Sequence, residues 1–489
     1  MKLSRIGIGL LIASLGTLAF ATSPSAGSSS PNQLPTWWQK GQWLLNNQTP
    51  LTCSQSGQDS SHLTNIDISN ELTPQSETTI AINPTSASTI VAGSNEIFCL
   101  PMAAYVSTGG GAKGTWVHSA PPLPPPLTTN GQDFGSDPGL AWDTKGDVFY
   151  SYIVVFFNRT FHAVQGSEMA VARSKDGLNW NATFFNPNVG NGKFNDKPMI
   201  AVDTNPGPHQ NTIYVAWDNA SPKNGKSSDN DVILVSHSTD GGVTFSDPVQ
   251  ASPSQGGPAA VIGADPFIGP DHTLYVAWQD GVNPSIQVAA STDGGNTFGP
   301  AHMISTTNAV FQVLPPAQAL RGALIYPACA AAPTGSRLYC SWSDATASDG
   351  MRVFVSHSDN RGANWSSAQR VSEPGTVSDQ FNQWLAVDPT TGAVVLSWND
   401  SRNDPKRVQT DIFFAESTDN GASFAIQQVT NASTDETVKD AADLGNQYGD
   451  YEGISAFNGA AYPVWTDRRA SVAAVPNLDE EVFTATIAE

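Results

Sequence analysis

Ser238-Thr239-Asp240-Gly241-Gly242-Val243-Thr244-Phe245 returns almost unchanged as Ser291-Thr292-Asp293-Gly294-Gly295-Asn296-Thr297-Phe298 and again as Ser417-Thr418-Asp419-Asn420-Gly421-Ala422-Ser423-Phe424. Looser copies are Ser358-Asp359-Asn360-Arg361-Gly362-Ala363-Asn364-Trp365 and Ser174-Lys175-Asp176-Gly177-Leu178-Asn179-Trp180. A degraded copy begins Ser107-Thr108-Gly109-Gly110-Gly111 and ends at Trp116. A motif that recurs through a chain marks a repeat architecture. Apolar alternation runs into it (Ile233 and Val235 before one copy, Phe413 and Phe414 before another) and a short extended stretch follows, which places it on a hairpin between two strands. Asp and Ser/Thr side chains bond the N–H groups of their own turn, and Gly supplies the positive φ that such a turn needs. The closing Trp or Phe then packs beneath it.

The pattern Ser-x-Asp-x-Gly-x-Thr-Trp/Phe resembles the Asp box, or bacterial neuraminidase repeat, of the sialidase-like β-propellers. The resemblance implies an all-β fold, a β-propeller of four-stranded antiparallel blades. It also implies turn-forming, structural roles for Asp176, Asp240, Asp293, Asn360 and Asp419. A fold by itself assigns no activity.

Working outward, each unit reads as an inner strand, a second strand rich in Tyr, Val and Trp, a third running into the Asp box, and a fourth after it. Inner strands are expected at Thr78–Asn83, Gly139–Trp142, Pro198–Val202, Pro266–Gly269, Ala323–Pro327, Trp384–Val387 and Gly453–Phe457. That makes seven units, six of them with an Asp box. The seventh ends at Glu481–Ile487, one strand short, while an orphan strand candidate, Leu63 to Ile68, lies upstream of the first unit. Docked as the outer strand of the last blade, it would close the ring and cover an edge. The expectation is therefore a seven-bladed propeller over residues 61–489, with six blades as the alternative.

The N-terminus reads as an export signal. Lys2 and Arg5 precede an apolar stretch from Ile6 to Phe20, with cleavage expected after Ala21. Residues 1–21 are thus a signal peptide, residues 22–60 a linker or arm, and the protein is secreted or periplasmic. No later stretch is apolar enough to span a bilayer. The formal charge is -21, and loss of Lys2 and Arg5 makes it more negative still. Such a surface repels nucleic acid and anionic lipid, and a monomer is expected. The four cysteines of an exported chain suggest two disulfides. Cys329 and Cys340 flank a hairpin around Pro333-Thr334-Gly335 and are expected to pair, leaving Cys53 for Cys99. No CxxC or HExxH spacing points to a metal site and no cofactor is expected; calcium is the one cation that stacked carboxylates around a channel would suit.

Asp boxes between third and fourth strands lie on the face away from the inner-strand starts. Chemistry is therefore sought at the opposite mouth. Glu77, Asp137, Asp196, Asp265, Arg321, Asp379 and Asp450 stand at or just before successive inner strands. Second strands end there too, several in Trp-x-Asp, including Asp400 and Asp467. Convergent polar groups around a concave opening are the default binding site. Asp265, Asp400, Asp467, Arg321, Arg402, Arg468 and Arg469 are the expected ligand-binding residues. The sialidases that the chain resembles hold a sialic-acid carboxylate with three arginines, attack with a tyrosine activated by a glutamate, and use an aspartate as acid/base. By that resemblance Tyr451 or Tyr448 beside Glu452 would be the nucleophile pair, with Tyr326 as a further candidate, and Asp137 or Asp196 the acid. The family's Phe/Tyr-Arg-Ile-Pro motif is missing; the first unit reads Glu77-Thr78-Thr79-Ile80. The expectation is a sialidase-like propeller that binds a glycan or other polar ligand at the mouth, with glycoside hydrolysis as its candidate activity. A non-catalytic extracytoplasmic interaction scaffold and a cation-binding propeller are the alternatives.

Overall fold

A computed structural model describes residues 40, 64–71, 73–96, 99, 101–129, 131–158, 160, 163–190, 193–220, 230–253, 255–256, 261–437, 447–469 and 480–489. The expected signal peptide, nearly all of the expected arm and Cys53 lie outside the described residues.

Seven antiparallel sheets of four strands follow one another along the chain. Their inner strands are Gln75–Ile82, Gly131–Trp142, Phe194–Val202, Val261–Ile268, Ala328–Ala331, Gln380–Val387 and Gly453–Phe457. Each blade then runs outward in sequence order, and consecutive inner strands pack side by side around the centre. The fold is an all-β, seven-bladed propeller.

Blade seven closes as the strand count requires. Its order is Gly453–Phe457, Ala460–Asp467, Glu481–Thr484 and then Ile66–Asp67 from the other end of the chain. Ile66 lies opposite Thr484 and Asp67 opposite Phe483, and the Ile68 amide donates to Val482 O at 2.8 Å. The last residues, Ile487–Ala488, return to pair with Ala460 and Ala461.

The second strands are covered on both faces by neighbouring blades, so Leu274–Asp280 and Val394–Asp400 are buried along their whole length. Trp217, Trp278, Trp342, Trp398 and Trp465 repeat near the ends of these strands, each 1% exposed or less. An indole buries roughly 150–250 Å². At about 25 cal/mol per Å² the set is a principal source of blade-to-blade cohesion.

Blade five departs from the expected pattern. Ala323–Leu324 is not its inner strand but pairs with Gln312–Val313 in a separate two-stranded ribbon. The inner strand begins at Ala328, where Cys329 lies opposite Cys340 and the two form a disulfide. Cys99 is also disulfide-bonded. No helix among the described residues is long and apolar enough to cross a membrane.

Candidate functional site at the channel mouth

The Asp-box turns sit where the repeat places them. Ser238, at the end of its third strand, lies opposite Ile213 at the start of the second, while the inner strand begins opposite the second strand's far end, Phe194 against Ala220. Asp240 accepts from the Val243 and Thr244 amides, both at 3.0 Å, and from Thr244 Oγ1 at 2.6 Å. Ser238 Oγ donates to Asp240 and accepts the Gly242 amide. Asp293 and Asp419 repeat the scheme, and Asp176 and Asn360 make its core contacts. These hydrogen bonds to the ionised form hold Asp240, Asp293 and Asp419 down to about 2. Two grooves of 620 and 420 Å³ lie on this face, lined by Asp-box residues.

The opposite mouth is built from a repeated irregularity. In blades one, two, three, four and six the inner strand slips register at a bulge, and the residue at the slip has a left-handed backbone: Glu77 (φ 53), Asp137 (φ 63), Lys197 (φ 46), Gly263 (φ 74) and Asn382 (φ 51). Such a conformation costs non-glycine residues about 1–3 kcal/mol and re-aims the side chain. The placement also resolves the two similar tripeptides. In Ser136-Asp137-Pro138 the bulge residue is Asp137; in Asp196-Lys197-Pro198 it is Lys197, and Asp196 precedes it. A lysine thus stands where the other blades put an acid, a glycine or an amide.

Several polar groups staple one blade to the next. Asn95 bridges Glu77 and the Asp137 amide. The Lys197 amide donates to both Asp137 and Asp196, at 3.2 Å each. Asp218 accepts from the Gly263 amide at 3.0 Å, and Asp265 from the Cys329 amide at 2.6 Å. Burial penalises the ionised form of each: Asp196, Asp218, Asp265 and Asp450 are pushed up to about 7. Asp137 is raised well above its usual range, by burial first and then by the charge of the neighbouring Asp196.

Over these acids lies the segment between blades four and five. Its Arg321 guanidinium pairs with Asp450. The Leu320 and Arg321 amides donate to Gln447 Oε1 at 3.0 and 3.1 Å, and Gln318 Nε2 donates to Gly449 O at 2.6 Å. The segment therefore straps the mouth from blade five to the entry of blade seven. It brings Tyr326 to Lys197, whose ammonium lies 4.4 Å from the Tyr326 ring centre, 4.5 Å from Tyr451 and 5.6 Å from Trp384.

The expected site residues divide accordingly. Asp137, Asp196, Asp265, Arg321 and Tyr451 come together at the mouth. Glu452 does not face Tyr451: in an extended chain successive side chains diverge, and Glu452 accepts from Asn399 Nδ2 at 2.7 Å and the Thr466 amide at 3.1 Å. Tyr448 contacts Thr410 and the Phe381 ring. Arg402 and Arg469 belong to a local unit, Trp-x-Asp-x-Arg. Trp398 Nε1 donates to Asp400 and Trp465 Nε1 to Asp467, both at 2.9 Å. The same carboxylates pair with Arg402 and Arg469, which lie over Phe413 and Phe483. Arg468 pairs with Glu436. Asp218, directly after Trp217, is a close variant of the Trp-x-Asp strand ends; Lys197 and Trp384 were not singled out from sequence, and the signal for Lys197 was the proline that follows it as it follows Asp137. Among the described residues no group of three or more His, Cys, Asp or Glu converges to hold a metal ion.

No protein-family model and no curated protein matches the chain. Solved structures do resemble it. A protein of unknown function from Dyadobacter fermentans is 13% identical over 74% of this chain and 100% of its own, with a TM-score of 0.43. The intramolecular trans-sialidase of Ruminococcus gnavus is 13% identical over 67% of this chain and 91% of its own, TM-score 0.41. The α-L-arabinofuranosidase Arb93A of Fusarium graminearum is 11% identical over 72% of this chain and 93% of its own, TM-score 0.45. Likenesses this distant say nothing about the chemistry of this channel mouth.

Proposed function

We propose that the channel mouth binds a neutral polyhydroxylated ligand, a saccharide, and that the protein does so outside the cytoplasm. The observation that carries this reading is the Asp137–Asp196 pair, whose buried carboxyls both accept the Lys197 amide beside the rings of Tyr326, Trp384 and Tyr451 and are held toward their protonated forms by burial. Protonated and ionised carboxyls together both donate to and accept from hydroxyls, and aromatic faces suit the apolar side of a sugar ring. An anionic sugar is disfavoured. Glu77, Asp137, Asp196, Asp218, Asp265 and Asp450 outnumber Lys197 and Arg321, and Arg402, Arg468 and Arg469 are engaged by acids elsewhere.

Glycoside hydrolysis is the activity such a mouth would support. Carboxyl groups flanking a scissile bond stand about 5–9.5 Å apart. Asp137 and Asp196, which accept the same Lys197 amide, would then act together as one proton donor, with Asp450 or Asp265 as the opposing carboxylate. A second reading, a non-catalytic scaffold, is favoured by the ion-paired arginines and by Glu452 facing away from Tyr451. One experiment separates them: a panel of fluorogenic neutral glycosides and a sialoside, with calorimetry against the corresponding free sugars, on the wild type and Asp196→Asn. Turnover of a neutral glycoside that Asp196→Asn abolishes supports hydrolysis. Binding without turnover supports a receptor. Neither binding nor turnover leaves the scaffold.

A further inference from the structure

We propose that Lys197 is a nucleophilic amine that captures a carbonyl-bearing ligand at the channel mouth as a Schiff base. An ammonium kept only as a counterion sits in hydrogen-bond contact with its carboxylate. The Lys197 ammonium has no hydrogen-bond partner among the described residues, although the side chain is almost fully buried. The nearby acids each hold another donor through one oxygen, Asp137 the Lys197 amide, Asp218 that of Gly263, Asp265 that of Cys329 and Asp450 Arg321, and none reaches the Lys197 ammonium. What surrounds the nitrogen directly is three aromatic rings. A lysine desolvated in this way is the usual form of an imine-forming amine. Its backbone is held left-handed at a bulge, so the side chain's aim follows from a strained position.

Burial lowers the affinity of this amine for its proton, while Asp218, Asp265, Asp137 and Asp450 act in the opposite sense. The neutral amine attacks the carbonyl carbon and a C–N bond forms. The carbonyl oxygen takes a proton from a carboxyl of the Asp137–Asp196 pair. The carbinolamine then loses that oxygen as water as the C–O bond breaks, the oxygen taking a second proton from the pair, and the nitrogen returns both of its protons to the carboxylates. One carbonyl and one amine give one imine and one water, with no oxidant or reductant. Arg321, Tyr326 and Tyr451 complete the charged and titratable groups around the step. Reducing sugars in their open form and small hydroxyaldehydes are the ligand class.

The inference concerns the same mouth as the saccharide reading but different chemistry, and its test needs no glycoside to be bound or cleaved. The intact protein is incubated with glycolaldehyde and sodium cyanoborohydride, and reduced adducts are mapped by peptide mass spectrometry over time. Lys197 is expected to be modified about tenfold faster than the exposed Lys145 and Lys175, burial favouring its neutral, nucleophilic form. Lys197→Met removes that adduct and leaves the surface ones. Adducts on Lys145 and Lys175 at a rate equal to or above that of Lys197 overturn the proposal. Because the comparison is made among lysines of one folded sample, it stands even where Lys197→Met fails to fold.

Discussion

The guanidinium of Arg321, on the segment leading into blade five, pairs with the carboxylate of Asp450, at the entry of blade seven, so that one ion pair reaches past blade six. Both side chains are largely buried. Removing one partner of such a pair leaves the other charge without compensation, at a cost of about 3–5 kcal/mol. Arg321→Met is therefore expected to lower the melting temperature markedly, and Asp450→Asn added to it should recover much of the loss. A double-mutant cycle by thermal denaturation measures the coupling; strictly additive losses would show that the pair does not hold the strap.

The buried acids predict an unusual pH dependence. Asp196, Asp218, Asp265 and Asp450 bind protons more tightly folded, at about 7, than unfolded near 4. Between those values the folded chain carries more protons, so stability falls as pH rises from about 4 to 7 and levels off above. Lys40, lowered to about 7 by burial, contributes in the opposite sense between 7 and its usual range. The Asp boxes, held near 2, set the acid limit, losing their contribution below about 4. Melting curves at pH 5 and pH 8 decide the matter: the midpoint is expected to be higher at pH 5.

Asp240 makes four hydrogen bonds within its own turn, on the face away from the mouth. Asp240→Ala is expected to cost about 1 kcal/mol, in line with the net value of hydrogen bonds at an exposed turn. Ligand binding at the mouth should be unaffected. Chemical denaturation and calorimetry together check this, and a change in affinity would contradict the division between the two faces.

Cys329 and Cys340 face each other across the first hairpin of blade five and close a short loop, with a sequence separation of 11. In the loop-entropy picture their removal costs roughly 2–3 kcal/mol. The double Ser variant should unfold at lower denaturant than the wild type when both are kept oxidised.

The architecture was legible because its signals are local and repeated: an Asp box in six of the seven blades, a Trp near the end of each of the last five second strands, and an orphan strand whose only opening was in the last blade. Blade five was misjudged in one detail. Ala323–Leu324 has the composition of an inner strand, but Gln312–Val313 captures it, and sequence carries no marker for which partner wins. The mouth was legible in composition and not in connectivity. Trp398-Asn399-Asp400-Ser401-Arg402 contains its own closed set of partners, so its arginine need not reach a ligand, yet the residue types alone invite that reading. Lys197 was overlooked because Asp196 matched the pattern of Asp137 by name, whereas the backbone matches them by distance from proline.

The shared last blade has a consequence for how the molecule comes into being. The strand Ile66–Asp67 is made before blade one, and Glu481–Thr484, with which it pairs, only after blade six. Until synthesis reaches Glu481–Thr484 the early strand lacks that partner, and blade one has no neighbour on its open flank. Contacts between distant parts of a chain form slowly and leave apolar edges exposed meanwhile. A chain broken anywhere in the ring would leave those edges permanently open, so truncated products should be recognisable by their tendency to aggregate. Completion of the circle is thus a built-in test of whether the whole ring has been made.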